Sequence, residues 1–122
     1  MTVHRTRFSK RVRLLKPADF SRVFNKAHRS SDRQLTILAT VNDLGYPRLG
    51  MAISRKHAKR AVDRNRIKRL VRESFRLNQA DLPAADFVVL AKPATKTAPN
   101  QDVFKSLQHH WHRLTKLCAK SS

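Results

Sequence analysis

The sequence predicts an α+β fold, a two-layer α/β sandwich with the element order α-β-β-α-β-α. Three observations carry that expectation. Gln34 to Val41 and Arg48 to Ser54 alternate with the period of two that a strand with one buried face requires. Asp86 to Ala91, DFVVLA, is a continuous apolar run suited to a strand covered on both faces. Three other stretches repeat their apolar residues at helical spacing, which gathers them on one side. At 122 residues the chain is sized for a single domain, with 1–16 as a basic N-terminal arm and 17–118 as the folded part.

Met1 to Lys16 lacks sustained periodicity, with Phe8, Leu14 and Leu15 as its bulky apolar residues, and it reads as a basic arm. Pro17 suits the first turn of a helix, where its missing N–H is not needed. Phe20, Val23, Phe24 and Ala27 then recur on one helix face. Phe20 and Phe24 stand one turn apart, and are either core residues or a platform on which unpaired bases stack. His28 to Arg33 is polar and Ser-rich, which predicts a loop.

The first strand sets Leu35, Ile37, Ala39 and Val41 against Thr36, Leu38 and Thr40. Asn42 to Pro47, NDLGYP, is turn chemistry. The second strand puts Leu49, Met51 and Ile53 on one face and Gly50, Ala52 and Ser54 on the other. These two strands are expected to form an antiparallel hairpin. Its small-residue face either floors a groove or accommodates a packed helix. After the third strand, Lys92 to Pro99 reads as a loop and Asn100 is placed to cap a last helix. Val103, Phe104, Leu107, Trp111, Leu114 and Cys118 recur along that helix, which should cover the sheet.

Between the second and third strands lies KRAVDRNRIKRLVRESFR, Lys59 to Arg76. At roughly 100° per residue, Ile67, Leu70, Val71, Phe75 and Leu77 gather on a face that wants a core. Arg64, Lys68, Arg72 and Arg76 follow one another at i, i+4 on another side, with Asn65 and Arg69 beside them. Like charges at that spacing repel by a few tenths of a kcal/mol per pair, so four in sequence point to a polyanion resting against them. A merely solvated face ordinarily interleaves Glu, whereas only Asp63 and Glu73 are present here.

The whole chain carries 27 Lys and Arg against 8 Asp and Glu, a formal net charge of +19. Charge of this size destabilises the compact monomer and is normally retained for a nucleic-acid partner. No apolar run approaches 18 residues and no signal-peptide pattern is present, so a membrane partner is not expected and the chain is placed in the cytoplasm. The single cysteine, Cys118, cannot form an internal disulfide, which suits a reducing compartment.

The eight acids are scattered, at Asp19, Asp32, Asp43, Asp63, Glu73, Asp81, Asp86 and Asp102. No pair suggests general acid/base work or two-metal chemistry, and two glycines cannot make a Gly-rich phosphate loop. His109 and His112 have i, i+3 spacing beside His110 and Trp111, but further ligands for a metal are missing nearby in sequence. By its residues this is a binding protein; a nuclease built on His57 and neighbouring Lys is the catalytic alternative.

The segment Ala61 to Arg76 closely resembles the signature of the bacterial ribonuclease P protein component, an Arg-Asn-Arg triplet followed by an apolar residue, Lys and Arg. Here these are Arg64, Asn65, Arg66, Ile67, Lys68 and Arg69. The resemblance extends to Leu14 to Phe24, RLGMAIS, DFVVLAKP and SLQHHWHRL, in order and spacing. It implies a catalytic RNA partner, with which the protein removes the 5′ leader of precursor tRNA using Mg2+ held mainly by RNA. It assigns RNA-subunit contact to Arg64, Asn65, Arg66, Lys68 and Arg69, with Lys59, Arg60 and Arg72 as neighbours. It places the leader in a cleft between the first helix and the sheet, lined by Phe20, Phe24, Ile37 and Ser54 with Arg13 and Lys56 at its edges. Some members carry aromatics on the first strand where this chain has Leu35 and Ile37. The family also implies a left-handed β-α-β crossover around the signature helix, against the right-handed form that holds in about 98% of such connections.

No protein partner and no protein-held cofactor are expected. A ribosomal or other structural RNA-binding protein shares the charge and small α+β fold, and is the alternative. A DNA-binding regulator would need base-edge readers and usually a dimer interface.

Overall fold

The computed structural model describes residues 12–13, 16–55 and 59–121. Seven regular elements follow one another: α1 (Pro17–Asn25), β1 (His28–Ser31), β2 (Leu35–Val41), β3 (Arg48–Ala52), α2 (Ala61–Asn78), β4 (Ala85–Ala91) and α3 (Asn100–Ser121). Short 3-10 turns at Gln79–Asp81 and Pro93–Lys96 flank β4. The fold is mixed α+β as expected, but the order is α-β-β-β-α-β-α.

The added strand is β1, within the stretch expected to be a loop. Its four residues pair antiparallel with β2, from His28 against Ala39 to Ser31 against Thr36. Nothing in HRSS has strand periodicity; a long-range contact holds it, Ser30 Oγ lying 2.6 Å from His110 Nδ1 on α3. Asp32 shapes the connection to β2, its Oδ1 accepting the N–H groups of Gln34 and Leu35 at 2.9 Å each, an Asx turn.

The expected hairpin of β2 with β3 does not form. The sheet order is β1-β2-β4-β3, with β4 antiparallel to β2 and parallel to β3. The physical reason lies in β4: an apolar run with two faces to cover is best placed inside the sheet, between its more polar neighbours. NDLGYP therefore spans across β4 instead of turning a hairpin. Asn42 organises it, accepting from Leu44 N–H at 2.9 Å and donating to Tyr46 O at 3.2 Å. Gly45 takes the left-handed conformation at φ 82°, open to glycine without steric cost. The link from β3 through α2 to β4 joins parallel strands and is thus a crossover.

Alternation divides the sheet into two unlike faces. Leu35, Ile37, Ala39, Leu49, Phe87 and Val89 look toward α2 and α3, where Ile67, Leu70, Val71, Phe75, Val103, Leu107 and Leu114 complete a continuous core. Trp111 sits at its centre, edge-on to Phe75 and Phe87 with ring centroids 6.0 and 5.4 Å away. Its Nε1 donates to Ser74 Oγ at 2.9 Å, so the indole is buried without losing its hydrogen bond. Cys118 closes the same face, as expected. On the opposite face α1 buries only Val23 against Val88, with Phe20, Ala27, Leu38 and Leu90 packed partly around them.

The N-terminal arm falls mostly outside the described residues. Val12 is nevertheless buried in the main core and Arg13 bridges Leu49 in parallel fashion, so the folded body includes these two positions.

Candidate nucleic-acid interface

Helix α2 presents two sides because its sequence does. Ile67, Leu70, Val71 and Phe75 are buried, which fixes the helix by its apolar face and turns the basic positions away from the core. Lys68, Arg69 and Arg72 have no acid or hydrogen-bond partner among the described residues. Arg76 is different, gripping Glu73 through Nε at 3.3 Å and through a second contact from Nη2 to Oε2. That bond holds the Glu73 carboxyl below its ordinary range and the Arg76 guanidinium above its own.

The Arg-Asn-Arg triplet does not act as one patch, because three consecutive helical residues spread over about 200°. Arg64 turns back on the start of its own helix, Nη1 donating to Lys59 O at 2.7 Å. Asn65 is exposed. Arg66 bonds inside the protein: its Nε reaches Asn100 Oδ1 at 2.8 Å, Nη1 reaches Thr95 O at 3.2 Å, and Nη2 reaches Ala98 O. Arg66 therefore ties α2 to the segment leading into α3. Asn100, expected to cap α3, is the first residue of that helix and gives its side-chain oxygen to Arg66 instead. Lys59 and Arg60 lie exposed just before α2, Arg60 4.0 Å from Asp63.

A cavity of about 570 Å3 opens where α1, β3 and α2 meet. Leu49, Gly50 and Met51 supply its β3 wall and Phe20 its α1 wall; Lys68, Arg69, Arg72, Glu73 and Arg76 come from α2, and Arg13 stands at the side. β3 is an edge strand, so the cavity reaches around the sheet margin. Its size is within the ~300–1,000 Å3 of small-molecule sites. Residues assigned by resemblance to two partners, Phe20 and Arg13 on one hand and Lys68, Arg69 and Arg72 on the other, line one space.

The remaining cleft positions divide. Phe24 is half exposed on α1 while Phe20 packs against the small Val23 cluster. Ser54 is exposed just past β3, and Lys56 lies outside the described residues. Ile37 is a correction: it is fully buried in the core against α2 and α3. Its pairing partner is Val89, whereas the α1 side of β2 carries Leu38, opposite Val88. One residue of register exchanges the faces of a strand, and alternation alone did not say which face α1 would cover. Gly50 and Ala52, in register with Val88 and Leu90, do lie on the α1 side.

Two clusters escaped the reading of the acids as scattered. Asp86, wholly buried in β4, receives Arg48 through Nε to Oδ1 and Nη2 to Oδ2, both 2.8 Å. Asn42 Nδ2 donates to it at 2.9 Å, and Arg22 of α1 makes a further ion pair. Arg48 also lies 3.5 Å from Asp19 of α1. The signal was an aspartate opening the otherwise apolar DFVVLA. The second cluster holds β1 to α3: His110, fully buried, meets Ser30 through Nδ1, and its Nε2 is 3.1 Å from Asp32 Oδ2, not aligned as a hydrogen bond. Burial pushes the His110 imidazole below its ordinary value. Burial raises the Asp32 carboxyl, but hydrogen bonds from Ser106 and from the Leu35 and Gln34 N–H groups outweigh it and hold it at about 2. Ser30 and His110 are buried and only Asp32 of the trio meets solvent, so the cluster serves as a structural tie. Among the described residues no three His, Cys, Asp or Glu side chains group to hold a metal, and no helix is long and apolar enough to cross a membrane.

Fold and site together define a small, strongly basic α+β protein whose second helix lines a partly apolar cavity with cations. The family model described as Ribonuclease P matches residues 8–115. The Ribonuclease P protein component of Photobacterium profundum is 53% identical over 110 residues, covering 90% of this chain and 93% of that one. The structure of a mutant Staphylococcus aureus RNase P protein superposes with a TM-score of 0.80 at 33% identity, over 90% of each chain. That of the Thermotoga maritima RNase P protein gives 0.75 at 29%, over 83% of this chain and 96% of that one. The chain belongs to the bacterial ribonuclease P protein component family.

Proposed function

We propose that this chain is the protein subunit of a ribonuclease P, binding a catalytic RNA and the 5′ leader of precursor tRNA so that magnesium-dependent cleavage removes the leader. The observation that carries this reading is the cavity in which unpaired Lys68, Arg69 and Arg72 face Phe20 across the edge of β3. A structured RNA lies along the cationic side of α2, and the single-stranded leader runs beneath α1 toward the cavity.

Three physical effects support it. Neutralising phosphates releases counterions, which makes assembly strongly salt-dependent. Phe20, and Phe24 further along the helix, offer faces on which leader bases stack at roughly 1–3 kcal/mol each. Fixed cations beside a crowded phosphate site lessen its repulsion, which lowers the magnesium needed for productive binding. The bond-breaking step belongs to RNA and its magnesium; this chain binds and positions.

The test is precursor tRNA cleavage at low magnesium by the cognate RNA, with and without the protein, beside the protein alone. Strong stimulation without protein-only activity is expected. Tight RNA binding that leaves cleavage unchanged would move the chain to the structural RNA-binding class, and cleavage by the protein alone would make it a nuclease.

A further inference from the structure

The cavity beside β3 contains a carboxylate among its cations, and phosphate binding gives no reason for one there. Glu73 stands one turn after Arg69 and next to Arg72, and its side chain remains 42% exposed although Arg76 holds it. A carboxylate offers about four acceptor positions. Arg76 occupies two of them with a fork that also fixes the direction of the group, leaving the others for a ligand. Glu73 is ionised at neutral pH as an ordinary glutamate is, and the Arg76 bond favours that form further, so it accepts and cannot donate.

We propose that this cavity is a single-nucleotide subsite in which Glu73 reads the base, favouring guanine and rejecting uracil. The inference rests on the proposed RNA-binding role and adds to it a base-selective contact. Guanine presents N1–H and N2–H side by side, a donor pair that a carboxylate accepts in two parallel bonds. Cytosine and adenine each set one amino group beside an acceptor nitrogen. Uracil sets its N3–H between two carbonyl oxygens, which a carboxylate repels. Unpaired bases in RNA are read on these edges while their faces stack. Phe20 and Met51 supply the apolar surface, and Lys68, Arg69 and Arg72 supply charge for the flanking phosphates. The unpaired nucleotide comes either from the leader or from the RNA subunit, and the experiment separates them.

The reconstituted holoenzyme is assayed on precursor tRNAs of several leader lengths, with each leader position in turn made G, A, C or U. Wild type is compared with Glu73→Gln, whose amide offers one donor and one acceptor and so matches uracil O4 and N3–H. At one leader position guanine is expected to exceed uracil in kcat/KM by roughly tenfold, the lower part of the range for one paired hydrogen-bond contact. Glu73→Gln should bring that ratio to about one or invert it. A loss of helix stability alone would not exchange one base preference for another. If no leader position responds, base-resolved chemical protection of the RNA subunit is compared between the two holoenzymes. One unpaired guanine exposed only with Glu73→Gln assigns the nucleotide to that RNA and supports the subsite. No Glu73-dependent base effect in either RNA overturns the proposal. Leader-length dependence that survives such a result leaves the broader function standing, whereas its absence with wild type would bring down the leader-holding role as well.

Discussion

The two faces of the sheet are held by different physics. Toward α2 and α3, Trp111, Phe75, Phe87 and a shell of fully buried aliphatics make an apolar core. Toward α1 the buried apolar cluster is only Val23 and Val88, and the helix is further held by Arg22 on the buried Asp86 and by Asp19 on Arg48. Burial of apolar area is nearly indifferent to salt and to neutralising charge, while ion pairs depend on both. The apolar core of the first face therefore responds little to salt. The second sets where α1 sits over the sheet, and with it the wall that Phe20 gives the cavity.

The contrast can be broken most strongly at its apolar end. Trp111→Ala should cost about 3–5 kcal/mol, and thermal unfolding followed by circular dichroism would show one lowered transition for the entire protein. Asp86→Asn should cost less, about 1–3 kcal/mol, because the amide keeps an acceptor but leaves Arg22 without its charge partner and Arg48 with Asp19 alone. Hydrogen exchange would then reveal lost protection on α1 while the amides of α2 and α3 near Trp111 keep theirs. Uniform loss over all helices would mean that the two faces are not energetically distinct.

Acidification sharpens the comparison from the other side. The unfolded chain takes up a proton at His110 near pH 6.5 that the folded chain resists, so stability should begin to fall below that pH. Asp32 adds a second loss as pH drops from about 3.8 toward about 2, since its folded carboxyl must be protonated against its hydrogen bonds. Its share is about 1 kcal/mol once solvent screening of a partly exposed group is allowed for. His110→Gln should flatten the part of the stability curve that begins to fall below pH 6.5 and leave the Asp32 limb in place, as urea unfolding across pH would record.

The smallest stability effect belongs to the cavity cations. Lys68→Ala, Arg69→Ala and Arg72→Ala should each shift stability by no more than about 0.5 kcal/mol. Each should nevertheless weaken RNA binding and lower the slope of log K against log salt by roughly one. A large loss of stability in any of them would show that these residues support the fold after all.

Much of this was legible in the sequence. The periodicities of α1, β2, β3, α2 and α3 identified elements near their observed bounds, and the two sides of α2 followed from the positions of Ile67, Leu70 and Val71 against Lys68, Arg69 and Arg72. Arg66 was less legible, because a guanidinium in a basic signature looks the same whether it meets an RNA or the carbonyls of Thr95 and Ala98. Ile37 was placed on the wrong face for a related reason: alternation reports that a strand has two sides and nothing about what covers each. Asp86 was passed over because its role depends on Arg22, 64 positions away, and on Arg48 and Asn42.

Sequence by itself determined the charge, the element types, the two faces of the basic helix and the family. These are local or additive properties: a helical or strand period is complete within a short window, and charge is a sum. Tertiary structure alone decided the insertion of β4 between β2 and β3, the making of β1, the burial of Asp86 and the meeting of α1, β3 and α2 around one cavity. Each of those depends on which distant segments bury one another's surface and satisfy one another's polar groups, a balance of long-range terms that no short window contains.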